Sequence, residues 1–226
     1  MTSEDWITFD PADSDPMSCQ LTLSQLIVPR PIAMVSTTSP DGVHNIAPMS
    51  YFLPITGDPM LVGISMGLRE DGGQKHTYEN AMASGDFVIN VCSEVFADHI
   101  ETVALECPPE VDEYELAGFT PIPATKVSSP AIAEAVARLE CRVSQVVELG
   151  TPGLPFGEVH LVIAEVVWAC WSPEILNERG RIDPERLAPI GRLGLRAFVR
   201  TVPDGVYSIP RVPWTEYATK AGLETR

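Results

Sequence analysis

The chain has 226 residues, the size of one large domain, and 45% of them are hydrophobic, enough for a sizeable core. Its 31 acidic and 15 basic side chains leave a formal charge of −16, which argues against nucleic acid and anionic membrane surfaces as partners. Five scattered cysteines without a C-x-x-C, and four histidines without H-x-x-x-H spacing, exclude a disulfide framework and a zinc knuckle and leave no metal site to expect. Cys92, Cys141 and Cys170 each sit in apolar runs and read as small core residues. The acidic N-terminus "MTSEDWITFDPADSD" lacks the basic and apolar regions of a secretory leader, and no apolar run is long enough to span a bilayer. The expected location is the cytoplasm.

After an N-terminal extension over residues 1–19, Ile32–Thr38 is apolar and β-branched and reads as a strand. Ser39-Pro-Asp-Gly42 is a turn, because proline presets φ and glycine accepts a positive one. Val43–Phe52 returns as the second strand of a hairpin, and "PMLVGISM" follows as a third after the break at Gly57-Asp58-Pro59. "TYENAMASG" is predicted helical and ends at Gly85. "DFVINVCS" is a short strand. Ser93 is positioned to cap a helix over "EVFADHIETVALE", where Val95, Phe96, His99, Ile100 and Val103 share one face.

Residues 107–130 form a proline-punctuated connector with one helical turn around Glu113–Ala117. In "ARLECRVSQVVELG" apolar Leu139, Cys141 and Val143 alternate with charged neighbours, a half-buried strand. "GEVHLVIAEVVWACW" is apolar on both faces, which predicts burial on both sides or packing in an interface. The tail from Ser172 is polar and then proline-rich around Pro203–Pro213, and is expected to wrap the outside or a partner subunit. Strands and helices do not alternate regularly, so a mostly antiparallel barrel fits better than a doubly wound parallel sheet.

Three motifs carry less than they promise. "GISMG" matches G-x-S-x-G, but Ser65 is followed by a glycine-rich polar loop where a nucleophile elbow needs a helix. "GLREDGGQKHT" lacks the P-loop lysine directly after its second glycine, where Gly73 stands, and no G-x-G-x-x-G follows a strand. The carboxylates Asp112, Glu113 and Glu115 lie on the polar connector and read as a solvated face.

The stretch "REDGGQKHT" (Arg69 to Thr77) is different. Its glycines let backbone N–H groups approach a ligand, Arg69 and Lys75 supply charge, and Thr77 falls at a helix N-terminus that favours an anion. A monophosphate suits this chemistry.

From about Leu26 to Arg200 the chain resembles the flavin reductase-like FMN-binding split barrels, which include flavoredoxins and the reductase components of two-component monooxygenases. The resemblance rests on ordered segments: "RPIAMVST", "DGVHNIAPMSYF", "KHTYEN", "DFVINV", "DEYELAGFT", "HLVIAEV" and "PIGRLG". It implies a mainly β chain, an antiparallel split β-barrel of Greek-key type with helical insertions over residues 20–200, and a C-terminal extension over 201–226. By the same resemblance Asn45, Ala47, Pro48 and Ser50 line the flavin. Backbone amides of Met34–Thr37, Ser36 and Thr37 among them, face the isoalloxazine edge. Arg69, Lys75, His76 and Thr77 hold the phosphate, Asn90 closes the ribityl side, and Arg192 is a candidate on the substrate side. The chemistry belongs to FMN, reduced by NAD(P)H, with no catalytic side chain and no metal. A homodimer is implied, with a monooxygenase or other redox partner. A flavoredoxin-type electron carrier and a non-catalytic flavin-binding module are the alternatives. The chain departs from the pattern in having His76 for aspartate, Ala164 for glycine and Phe198 for tyrosine.

Overall fold

The computed structural model describes residues 6–154, 156–209 and 211–223. The first five residues of the N-terminal extension, Pro155, Pro210 of the proline-rich tail and the last three residues of the C-terminal extension lie outside the described residues.

In chain order the strands are β1 (Arg30–Pro31), β2 (Ala33–Thr38), β3 (His44–Met49), β4 (Phe52–Gly57), β5 (Met60–Gly67), β6 (Asp86–Val91), β7 (Pro121–Ile122), β8 (Ala131–Ile132), β9 (Ala137–Gly150), β10 (Glu158–Trp171), β11 (Ile190–Leu193) and β12 (Ala197–Arg200). The helices are α1 (Pro16–Leu26), α2 (His76–Ser84), α3 (Glu113–Ala117), α4 (Pro184–Leu187) and α5 (Trp214–Ala221).

Seven strands make one antiparallel sheet in the order β3-β2-β6-β9-β10-β5-β4. The chain after β3 turns back onto β5, where Ser65 N–H donates to Tyr51 O at 2.9 Å, so the two ends of the sheet meet. The result is the mainly β, antiparallel split barrel that the resemblance implies. Side chains of alternating residues fill it: Ala33 and Val35 from β2, Val62, Ile64 and Met66 from β5, Phe87 and Ile89 from β6, Cys141 from β9, Val162 and Ala164 from β10. Met34, on the opposite face of β2, joins a second core outside the barrel with Phe96, Ile100, Tyr114, Phe119 and Ile132. β2 is therefore buried on both faces, which accounts for its unbroken apolar and β-branched run.

The β2–β3 hairpin forms as expected. Gly42 N–H donates to Ser39 O at 2.9 Å, and Gly42 takes φ +86°, which the turn requires of it. Gly85, at φ +74°, ends α2.

Three expectations need correction. The predicted strand Val43–Phe52 is two strands. The chain leaves the β3 edge at Ser50 and crosses to the far edge of the sheet, where β4 pairs with β5. The predicted helix over 94–106 is two separate 3₁₀ turns, Glu94–Phe96 and Thr102–Ala104. Tertiary pairing wins there: Glu94 N–H donates to Ala188 O, Ile190 N–H donates to Cys92 O, and Ser93 bridges Pro189 instead of capping a helix. Its face is used nevertheless, since Phe96, Ile100 and Val103 are buried. Of the two readings of β10, burial on both sides does not hold: the strand is buried on one face, through His160, Val162, Ala164 and Val166, while Leu161 and Ile163 are half-buried and Trp168 is exposed. The tail carries elements of its own: β11 pairs with both β1 and β12, and α5 lies within it.

Candidate functional site

Gly67 ends β5, and the loop after it folds back on itself. Gly72 N–H donates to Arg69 O and Arg69 N–H donates to Gly73 O, at 3.0 and 2.8 Å, with Gly72 at φ +84°. This turn delivers Arg69, Lys75 and His76 to the start of α2, whose first N–H groups have no helical acceptor. β3 supplies the opposite wall through Asn45, Ala47 and Pro48. Between them lies a cleft of about 240 Å³, to which the chain around Glu106 and Cys107, Glu113 of α3 and Arg192 of β11 also contribute. A second cavity of about 350 Å³ adjoins it and shares Asn45, His76 and Glu113.

Each cation is engaged by a neighbour. Arg69 pairs with Asp71 and also donates to His76 Nε2 at 2.6 Å. A guanidinium is always a donor, so His76 Nε2 is the acceptor of this contact. Lys75 Nζ lies 3.1 Å from Glu106, whose other oxygen accepts from Glu70 N–H. Asp71 is held down at about 2 by its bond from Arg69.

Asn45 is buried and fully committed to the protein. Its Oδ1 accepts from Thr77 Oγ at 2.8 Å, and its Nδ2 donates to Glu113 Oε2 at 2.5 Å. Thr77 therefore offers the cleft its backbone at the N-terminus of α2, its hydroxyl being used. Glu113 Oε2 also accepts from Ile46 N–H at 2.6 Å, and Cys107 lines the same cleft. Glu113 is only 4% exposed, and burial pushes its pKa up to about 7. The reading of Glu113 as part of a solvated face is overturned. Asp112 caps α3 through Tyr114 and Glu115 N–H, which turns the next side chain inward against β3. Nothing in the sequence beyond its place in "DEYELAGFT" distinguishes Glu113 from Glu115, which stays exposed. Cys107 is equally inconspicuous there.

The structure does not bring every expected residue to the cleft. Asn45, Ala47, Pro48, Arg69, Lys75, His76, Thr77 and Arg192 line it; Ser36, Thr37, Ser50 and Asn90 do not. β2 is laddered on both sides, to β3 and β6, so its amides are spent within the sheet over Ala33–Ser36. Ser36 Oγ donates to Pro130 O at 2.6 Å. Thr37 Oγ accepts from Asn80 Nδ2 at 3.2 Å. Asn90 donates to Met34 O and Ser36 Oγ and accepts from Ile132 N–H, and is completely buried. It ties β6 to β2 and β8. Asn90→Ala is accordingly expected to lower unfolding free energy by about 2 kcal/mol, with an orphaned Ile132 N–H as the main cause, and urea denaturation checks it.

Ala164 points into the barrel core, away from the cleft, so its methyl crowds no ligand there. Phe198 lies beneath the Arg192 guanidinium, 5.3 Å from ring centroid to Cζ. Arg192 donates to Gly194 and Leu195 carbonyls, and burial together with the charge of Arg30 lowers its pKa. Ser65 lies within β5, not at a strand-to-helix elbow. Among the described residues no helix is long and apolar enough to cross a membrane.

The chain is 39% identical over 169 residues to an uncharacterized protein of Halalkalibacterium halodurans, covering 74% of this chain and 79% of that one. The crystal structure of nitrilotriacetate monooxygenase component B from Bacillus cereus superposes with a TM-score of 0.83 at 30% identity, covering 92% of this chain and all of the other. An FMN-binding protein from Thermus thermophilus shares the fold alone, at TM-score 0.68 and 18% identity over 93% of this chain and all of that one. The family model for the flavin reductase like domain matches residues 24–181, most of the barrel and the whole of the Arg69–Thr77 turn, and the chain belongs to that family.

Proposed function

We propose that the cleft binds FMN and that the protein is an NAD(P)H-dependent flavin oxidoreductase. The observation that carries this reading is the convergence of Arg69, Lys75, His76 and the N-terminus of α2 on one end of a cleft whose wall is Ala47 and Pro48. In a chain of net charge −16, cations gathered at a helix N-terminus favour an anionic ligand. The ion pairs already present do not oppose this. Asp71 is 59% exposed and Glu106 35%, and pairs of that exposure are worth about 0–1 kcal/mol. A phosphate dianion at a helix N-terminus, taking charge-assisted bonds, outcompetes them.

In this reading Arg69, Lys75, His76 and the first amides of α2 hold the phosphate. Ala47 and Pro48 give the ring a flat, rigid wall, and Arg192 bounds the far side where a second anionic molecule, NAD(P)H, is received. Bound FMN would supply a two-electron carrier that accepts hydride from NAD(P)H. The protein's part is to orient, to exclude water with the Val103–Leu105 wall, and to offset negative charge with its cations. A monooxygenase or other redox partner as the onward acceptor is supported by the 30% identity with component B. A homodimer is supported by Trp168 and Trp171, both more than two-fifths exposed on β10.

A visible spectrum of protein incubated with FMN, followed by NADH and NADPH oxidation assays with and without FMN, tests the proposal. Flavin-dependent oxidation is the expected outcome. Lys75→Ala is expected to weaken FMN binding about tenfold, the loss of one charge-assisted contact (~1.4 kcal/mol). Lys126→Ala, whose ammonium lies over Trp168 instead, leaves it within about twofold, or ~0.4 kcal/mol. Equal affinities in the two variants would remove the phosphate assignment.

A further inference from the structure

Glu113 is a carboxyl buried at the meeting point of two cavities, in a cleft whose lining also holds Arg69, Lys75 and Arg192. We infer that Glu113 is a positioning residue that aims Asn45 and the first turn of α2, and that its charge sets how tightly the cleft holds an anion. The inference rests on the proposed reading of the cleft as an FMN phosphate site.

The positioning half follows from connectivity. One oxygen, Oε2, accepts from both Asn45 Nδ2 and Ile46 N–H, at 2.5 and 2.6 Å. That grip fixes Asn45 so that Oδ1 accepts from Thr77 Oγ at 2.8 Å. The register of α2 against β3 thus runs through one side chain of α3. A carboxylic acid performs this service as well as a carboxylate, because the proton can sit on Oε1 while Oε2 accepts both bonds.

The charge half follows from what surrounds the group. From the turn and α2 it is faced by Arg69, Lys75, His76 and Glu79. The 106–107 segment brings Glu106 and Cys107, β3 brings His44, β11 brings Arg192, and Asp112 precedes it in the chain. An ionised Glu113 removes one unit of positive charge from a cleft that must attract a phosphate. A neutral one removes none. Burial holds its titration near neutrality, so both states are populated in the physiological range. Anion affinity therefore falls as pH rises through that range, and a bound anion in turn favours the protonated form.

Glu113→Gln separates the two halves. The amide oxygen still accepts from Asn45 and Ile46, and the charge never appears. FMN dissociation constants, read by quenching of flavin fluorescence, are measured at pH 5.5 and pH 8.5 for wild type, Glu113→Gln and Glu113→Ala. Wild type and Glu113→Gln are expected to agree at pH 5.5. At pH 8.5 Glu113→Gln binds roughly tenfold tighter than wild type, the factor that a one-unit shift of a linked proton produces. Glu113→Ala binds more weakly than Glu113→Gln at both values, because Asn45 and Ile46 lose their acceptor. Every other group is the same in both proteins, so the difference between the two profiles isolates Glu113.

Parallel profiles for wild type and Glu113→Gln overturn the inference while leaving the FMN reading intact. No FMN binding by wild type at any pH overturns that reading, and the inference with it. Should Glu113→Gln fail to fold, calorimetry of wild type with FMN at pH 8 in two buffers of different ionisation enthalpy replaces it. Uptake of a fraction of a proton is expected, and zero uptake overturns the inference.

Discussion

Asp86→Ala lowers the unfolding free energy by about 4 kcal/mol, the sum of charge-assisted bonds discounted for their shared loss. Asp86 opens β6 and is 8% exposed. Its Oδ2 accepts from the backbone N–H and hydroxyl of Ser128, both at 2.8 Å. Its Oδ1 accepts from the N–H of Ser129 at 3.0 Å and its hydroxyl at 2.7 Å. Alanine strands four donors at once, two of them backbone groups with no freedom to turn toward water. The loop so anchored matters further in. Its next residue, Pro130, presents the carbonyl that accepts from Ser36 Oγ and from Tyr114 OH, fastening α3 against the barrel. For a chain of this length the loss corresponds to a fall in melting temperature of roughly 10 °C. Asp86→Asn keeps one acceptor oxygen and recovers part of it. Thermal and urea unfolding read both variants, and a loss below about 1 kcal/mol for alanine would contradict this account.

The second large effect is a pH dependence of stability that belongs to Glu113. Burial raises its pKa from an ordinary 4.5 to about 7 in the folded state. The folded protein therefore holds this proton over a range in which the unfolded chain has released it. Stability from this group is greatest below pH 4.5, declines as pH rises through the interval, and levels off above about 7. At 1.36 kcal/mol per unit the full change is about 3 kcal/mol. Glutamine has no proton to release, so Glu113→Gln gains on wild type by about that amount between pH 4.5 and pH 8, whatever the other carboxylates do in both proteins. Urea titrations of the two proteins at both pH values give the difference directly. An unchanged difference would mean that water reaches the carboxyl in solution and that its charge costs nothing.

Much of the site is legible in the order of the amino acids. The glycines and cations of "REDGGQKHT" are local features, and a local turn followed by a helix start places Arg69, Lys75, His76 and Thr77 together without help from distant chain. The same holds for Ala47 and Pro48 on β3, whose position in the hairpin follows from the Ser39–Gly42 turn. Asn90, Ser36 and Thr37 are legible as strand residues but not as interior ones. A polar side chain alternates on a strand whether it meets a ligand or a neighbouring strand's carbonyl. Only the packing of β2 between β3 and β6 decides that these three serve the protein.

Glu113 and Cys107 do not stand out for a related reason. Their significance depends on distant chain. Asn45 and Ile46 lie 68 and 67 positions before Glu113, and the Arg69–Thr77 turn faces Cys107 across the cleft. The segment 94–106 misleads in the opposite direction. Its apolar spacing is helical, but the backbone pairings of Ser93 with Pro189 and Cys92 with Ile190 hold its start in an extended form that a helix cannot share.

Local order in the chain was thus sufficient for the alternating strands, the turns where glycine takes positive φ, the basic glycine-containing loop before α2 and the family, since each rests on neighbours within a few residues or on ordered segments. Three things needed the closed fold: which polar side chains face the cleft and which are consumed inside, how β10 divides its two faces, and that a carboxylate read as solvated lies buried against β3. Burial and hydrogen-bond partnership are set by chain segments that meet only when the sheet closes, and a linear pattern carries no record of that meeting.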